Sequence, residues 1–418
     1  MTAFTYRNGA LCVDALSVSA LAEKIDTPFY AYSETRLREN YRAFSEPFAA
    51  LNPLICYAVK ANANLAVIRT LHECGAGADI TSAGEMARAL KAGVPARKII
   101  FSGVGKTRDE IAAALKEGIY QINIESITEM RAVSAVAAEM NLRAPVALRI
   151  NPNVAARTHH KTSTGETGVK FGIDASQLDA AMELTRALPG LDLKGFLVHI
   201  GSHVFDYEPY REAYGKLADM VHFWRGKGYS ITRLDLGGGV TIPYDRQTQG
   251  PFSAYADIVH ETVGKLGCEL AFEPGRRLVG DAGILVSRVI YDKRGASKRF
   301  LILDAGMNDL IRPAMYEARH SIIPVRESHA AGYRSEPEPA DVVGPICETS
   351  DLFGEAYLLP GVGEGDLVAI MQAGAYGAAM SSNYNGRALI PEVMVSGDQF
   401  RIIRRRITVE EQMGWEAN

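Results

Sequence analysis

The residues best equipped for chemistry in this chain are a lysine, three successive glycines and a Glu-Pro-Gly-Arg tetrapeptide, each closing an apolar run. Lys60 ends Leu54-Ile55-Cys56-Tyr57-Ala58-Val59, and small or polar residues follow at once. Such a run reads as a strand buried on both faces, where an unpaired ammonium is expensive. A partly desolvated lysine loses its proton readily and becomes a Schiff-base nucleophile. Taken alone, Lys60 reads equally as a side chain reaching solvent from a strand end. Gly237-Gly238-Gly239 follows Arg233-Leu234-Asp235-Leu236. Successive glycines let backbone N–H groups face an anion with no Cβ in the way, although a tight strand-to-helix turn asks for the same residues. Gly275 and Arg276 lie in the next strand-end segment and strengthen the anion reading. A Schiff-base lysine beside a phosphate cradle points to pyridoxal 5'-phosphate, whose ring nitrogen needs a partner. Glu273 fits that role, with a salt bridge to Arg276 as the alternative. His199 fits a ring lying flat on the cofactor, with a hydrogen-bonded strand-end histidine as the alternative.

Something must bring these residues to one place. Strand-like runs recur at 54–59, 77–81, 98–102, 121–124, 145–150, 193–200, 233–236 and 269–273. Helical patterns lie between them, such as 108–116, 127–140 and 210–225, and several end with a glycine just beyond the last turn (Gly118, Gly190, Gly228, Gly267). Alternation of this kind predicts a parallel sheet, and eight units predict a closed (β/α)8 barrel, with a doubly wound open sheet second. In such a barrel the site lies at the C-terminal ends of the strands. That rim collects Lys60, Asp79, Arg149, His199, Ser202, Gly238, Gly239, Glu273, Gly275 and Arg276. The long connection after Ile150, which contains His159, His160 and Lys161, reads as a binding loop. Beyond about residue 281 the chain turns β-rich, which predicts an all-β barrel or sandwich joined by the N-terminal strands. The expected domains are 28–280 for the barrel, and 1–27 with 281–418 for the β-domain. The polar stretch 326–340 reads as a surface segment.

Composition narrows the class. With 418 residues, 47% hydrophobic and 22% charged, the chain is globular and long enough for two domains. A formal net charge of -4 argues for neither nucleic acid nor an anionic membrane. No apolar run approaches the roughly 20 residues of a membrane helix. Five cysteines without metal spacing suit a reduced, cytoplasmic protein, and the N-terminus does not read as a signal peptide. No carboxylate or third ligand is spaced with His159-His160, so no metal is expected.

Four motifs in order, Tyr57-Ala58-Val59-Lys60-Ala61-Asn62, His199 to His203, Leu236 to Gly239 and Glu273 to Arg276, resemble the fold-type III pyridoxal-phosphate decarboxylases. These have an alanine-racemase-like barrel followed by a β-domain. The C-terminal half resembles the diaminopimelate decarboxylase family at Arg312-Pro313-Ala314-Met315-Tyr316, Cys347-Glu348-Thr349-Ser350-Asp351 and Gly374-Ala375-Tyr376-Gly377, as does the loop from Thr164 to Gly172. The resemblance implies that Lys60 carries the cofactor, and that Asp79, His199, Ser202, Gly238, Gly239, Glu273, Gly275, Arg276 and Tyr376 hold it. It further implies that Arg276, Arg312, Tyr316, Glu348 and Tyr376 hold substrate while Cys347 donates a proton. Finally, it implies a homodimer whose active sites lie at the interface, with Cys347 and Glu348 coming from the partner chain. Thr349 stands where serine is more usual, and Asp79 to Gly84 varies a segment often richer in glycine. The expected reaction is decarboxylation of meso-2,6-diaminopimelate to L-lysine and CO2, the last step of lysine biosynthesis. Three alternatives stay open: a decarboxylase of a related substrate such as ornithine or carboxynorspermidine, a non-catalytic regulatory homologue that binds the cofactor, and a racemase on the same barrel.

Overall fold

The computed structural model describes residues 3–155, 168–245, 247–327 and 338–416. The chain forms two compact units. One comprises Tyr41–Ile242 with Gln249–Arg277; the other comprises Met1–Asn40, Pro243–Thr248 and Leu278–Asn418.

The chain starts with a small antiparallel sheet of β1 (Phe4–Arg7), β2 (Ala10–Val13) and β3 (Leu16–Ser17). Strand β4 (Phe29–Ser33) follows and is wholly buried. The next eight strands are β5 (Leu54–Ala58), β6 (Gly77–Ile80), β7 (Ile99–Phe101), β8 (Gln121–Ile124), β9 (Ala144–Arg149), β10 (Leu191–Leu197), β11 (Arg233–Asp235) and β12 (Glu269–Phe272). They close into a parallel barrel, β12 pairing with β5 through Ala271↔Leu54 and Phe272↔Ile55. Because every pair is parallel, all eight C-terminal ends lie on one rim. The return helices start where the sequence supplies caps. Ser82, Thr107 and Ser126 each accept a backbone N–H three residues on, and Glu110 completes a capping box with Thr107. Each cap is worth about 1 kcal/mol and fixes where the preceding strand end must stop.

The remaining strands are β13 (Gly283–Arg294), β14 (Arg299–Leu303), β15 (Ile322–Pro324), β16 (Ala340–Val343), β17 (Leu352–Tyr357), β18 (Leu367–Ile370), β19 (Glu392–Ser396) and β20 (Gln399–Arg404). Together with β4 they build a mixed nine-stranded sheet around β13. Its core joins Leu11, Val13, Val18, Phe29, Ile284, Val286, Val393 and Val395.

One expected boundary needs correction. Residues 28–40, expected in the barrel domain, belong to the β-rich unit with the rest of Met1–Asn40, where β4 pairs antiparallel with β13 and parallel with β19. A short, fully buried run such as Phe29-Tyr30-Ala31-Tyr32-Ser33 looks the same in either sheet, and its partners lie more than 240 residues away. Most of the loop expected to bind, including His159, His160 and Lys161, lies outside the described residues, as does most of 326–340. No helix among the described residues is long and apolar enough to cross a membrane.

Candidate active site

The barrel rim is built from strand ends. Lys60 sits in a single helical turn directly after β5, and its Nζ lies 2.9 Å from Asp79 Oδ2 at the end of β6. Asp79 is fully buried and its Oδ1 has no hydrogen-bond partner among the described residues. The lysine is less desolvated than its strand implied, with 41% of the side chain exposed. The turn lifts it off the strand into the open rim, where the carboxylate holds it.

Glu273, after β12, is buried. Its Oε1 accepts from Ser102 Oγ at 2.9 Å and from Asn123 Nδ2 at 3.1 Å. Burial, with the charges of Asp235 and Asp79 added, pushes its pKa well above the carboxylate range. His199, after β10, accepts the Gly238 N–H on Nδ1 at 3.0 Å. That bond places the proton of the neutral ring on Nε2. Burial, then the cations Arg149 and Lys60, hold its pKa well below the usual value, so the imidazole is neutral and suited to lie against a flat ring.

The glycine turn has a backbone cause as well as an anion-binding shape. A Cβ on Gly238 would meet Glu273 O at 2.3 Å, and one on Gly239, at φ +98°, would meet Gly201 O at 2.2 Å. The turn therefore draws the ends of β10, β11 and β12 together. Arg276, buried at the start of the short helix Arg276–Val279, donates from Nη2 to Ser202 Oγ at 3.3 Å. Buried Gly275 precedes it. These groups match the needs of pyridoxal 5'-phosphate. A primary amine and an orphaned buried carboxylate oxygen share the rim with a protonatable carboxyl, a neutral imidazole, and a guanidinium beside a hydroxyl and a glycine turn.

Sequence reasoning overlooked Ser102, Asn123 and Asp235 as site residues. The signal available was polar residues inside apolar strands, as in Gln121-Ile122-Asn123-Ile124. Arg149, buried at the end of β9, was noted at the rim but given no role. It donates to Glu125 at 2.9 and 3.1 Å and stacks its guanidinium over Phe171 at 4.8 Å.

The other expected residues lie in the β-rich unit. Arg312 opens a short helix (Arg312–Tyr316), is 3% exposed, and donates to His320 Nε2 at 2.7 Å, while His320 Nδ1 donates to Met371 O at 2.8 Å. The Tyr244 ring lies 4.5 Å from the guanidinium. Tyr316 ends that helix, half-buried. Cys347 and Glu348 are exposed on a turn. Tyr384 Oη and Ser350 Oγ donate to Glu348 and lower its pKa. Tyr376 holds a left-handed backbone, φ +56°. That conformation is strained for an aromatic residue and is most often kept at functional positions.

Comparison with known proteins decides the family. The profile described as Pyridoxal-dependent decarboxylase, pyridoxal binding domain, matches residues 34–280. Diaminopimelate decarboxylase of Zymomonas mobilis is 42% identical over 99% of this chain and 98% of its own length. That of Neisseria meningitidis serogroup B is 46% identical over 95% and 94%. The chain belongs to the diaminopimelate decarboxylase family. It is accordingly a pyridoxal 5'-phosphate-dependent carboxy-lyase. Among solved structures, diaminopimelate decarboxylase from M. jannaschii in co-complex with L-lysine aligns with TM-score 0.93 at 36% identity, covering 100% of this chain and 99% of the other. The enzyme from Helicobacter pylori complexed with L-lysine gives 0.90 at 37%, covering 95% and 98%.

Proposed function

We propose that the protein decarboxylates meso-2,6-diaminopimelate to L-lysine and CO2, in the cytoplasm, as a homodimer whose active sites lie at the subunit interface. The observation that carries this reading is full-length similarity above 40% to relatives named for that activity, supported by two similar structures that hold L-lysine, the product. Pyridoxal 5'-phosphate, when bound, supplies an electron sink for the bond broken at the α-carbon.

The chain's own groups do the rest. Lys60 would hold the cofactor through its amine, which Asp79 keeps oriented at the rim. Glu273 would serve the cofactor's ring nitrogen, and His199 would offer a neutral imidazole to the ring. Ser202, Gly238, Gly239, Gly275, Arg276 and Tyr376 would complete the hold on the cofactor. Arg276, Arg312, Tyr316, Glu348 and Tyr376 hold substrate. A guanidinium suits the distal carboxylate and Glu348 suits the distal ammonium. The thiol of Cys347 delivers a proton to the α-carbon. The exposure of Cys347 and Glu348 supports their being offered to a partner chain.

The test is CO2 release with stoichiometric L-lysine from meso-2,6-diaminopimelate by the purified protein. Release from ornithine or carboxynorspermidine but not from diaminopimelate would move the assignment to the related decarboxylases. No release from any of them, with cofactor bound, would favour the regulatory homologue.

A further inference from the structure

Beneath the rim, four polar side chains meet inside the barrel, all buried: Ser102, Asn123, Asp235 and Glu273. Asn123 Nδ2 lies 3.0 Å from Asp235 Oδ2, 3.1 Å from Glu273 Oε1 and 3.1 Å from Ser102 Oγ. An amide nitrogen carries two hydrogens, so three acceptors compete for them. Asp235 Oδ1 is already served by the Gly237 N–H at 3.0 Å. Gln121 Nε2 donates to Asn123 Oδ1 at 2.8 Å, which fixes the amide with its NH2 toward the carboxyls. Asn123 Nδ2 thus bridges the two buried carboxyls of Asp235 and Glu273. Two buried carboxyls held on one amide nitrogen do not both ionise, so the pair keeps a proton.

We propose that Asn123 and Asp235 are positioning residues that clamp Glu273 as a protonated acid in the cofactor-free protein, and that this proton is the one passed to the cofactor's ring nitrogen. In that step the Glu273 O–H bond breaks and an N–H bond forms on the ring. Glu273 is left as the carboxylate that pairs with the new cation. Total charge is unchanged, and solvent need not enter a closed barrel interior to supply the proton. The assignment rests on the reading of Glu273 as the ring-nitrogen partner.

The surroundings favour the proton on Glu273 rather than on Asp235. Both Asp235 oxygens accept from fixed donors, the Gly237 N–H and the Asn123 amide, while Glu273 accepts on Oε1 alone among the described residues, and burial with the nearby carboxyls of Asp235 and Asp79 raises its pKa. Lys60, the cation that opposes this shift, is paired with Asp79. Cys56 of β5, and Tyr214 and Tyr255 from helices Glu208–Gly226 and Phe252–Thr262, also feel the charge of Asp235. All three have raised pKa values and remain neutral at pH 7.

The experiment is infrared difference spectroscopy on the full-length protein stripped of cofactor. At pH 7 the wild type should show a carboxylic-acid carbonyl band that Glu273→Gln removes and that disappears when pyridoxal 5'-phosphate is added. The Glu273→Gln difference separates this band from that of any other buried acid. Asp235→Asn should move its titration to lower pH by about one unit or more, which a merely structural role would not do. Three results would overturn the proposal: no Glu273-dependent band, a band that survives cofactor saturation, or a titration unmoved by Asp235→Asn. The underlying reading fails separately, if cofactor-loaded Glu273→Gln turns over like wild type.

Discussion

At and just beneath the barrel rim Asp79, Asp235 and Glu273 are all buried, and each is held by a neighbouring side chain. In the β-rich unit Cys347 and Glu348 stand exposed on a turn, and Glu348 accepts from the hydroxyls of Ser350 and Tyr384. Arg312 lies between these extremes, buried and aligned by His320 and the face of Tyr244. The rim spends burial on fixing pKa values and geometry, as cofactor chemistry demands. The β-rich residues keep their charges available, as recognition of a charged substrate demands. If that contrast is right, damage to the rim should abolish chemistry, whereas damage to the β-rich set should change which substrate is taken.

The largest effect is expected at Lys60. Lys60→Ala should lose the visible band that borohydride reduction removes, and turnover should fall to background. Mixing Lys60→Ala chains with Cys347→Ala chains should restore activity, because each mixed dimer then holds one intact site. Absence of recovery, with subunit exchange demonstrated, would put both residues in one chain and blur the contrast.

Glu273→Gln comes next. A neutral amide cannot give up a proton, so turnover should drop about 10²-fold or more, in the range of positioned proton-transfer groups, while cofactor affinity measured by fluorescence titration changes little. Near-normal turnover would reduce Glu273 to a packing role.

Much of this was legible before any coordinates. The eight barrel strands were readable because each apolar run is long enough to be a strand and is bounded by glycine, proline or a helix cap, and the strand ends then named the rim. The inner clamp was not readable in the same way. Asn123 lies 112 residues from Asp235 and 150 from Glu273, and only closure of the ring brings them into contact. Strand β4 was misassigned for a related reason, since a buried strand's sequence does not name its partners. The buried state of Arg312 was invisible too, because its aligning groups, His320 and Tyr244, carry no motif.

A smaller effect, on specificity, is expected at Arg312. Loss of one charge-assisted contact costs about 1.5–3 kcal/mol, or roughly one to two decades in kcat/KM. Arg312→Ala should therefore lower kcat/KM for diaminopimelate by that amount and leave the slower use of lysine or ornithine, which lack a distal carboxylate, nearly unchanged. An unaltered ratio between diaminopimelate and lysine would show that the guanidinium does not read the distal carboxylate.

The smallest effect concerns a buried acid in the β-rich unit that no proposed chemistry uses. Asp309 is 1% exposed, accepts the Gly306 N–H at 3.0 Å and the Asn308 amide at 3.2 Å, and has its pKa pushed up to about 7, chiefly by burial. Its folded pKa lies above its unfolded value of about 3.9, so the folded protein binds this proton more tightly. The resulting stability is fully present below about pH 4 and is lost as pH rises to about 7. The full shift corresponds to about 4 kcal/mol. Relaxation around the new charge should leave roughly 1–2 kcal/mol of it. Asp309→Asn removes the titration, so its melting temperature should vary less than that of the wild type between pH 4 and pH 7, with turnover at neutral pH unchanged. Parallel melting curves for the two proteins across that window would show that Asp309 is ionised throughout. Buried acids in the two units would then differ in more than their use, because only those of the barrel would retain a proton at neutral pH.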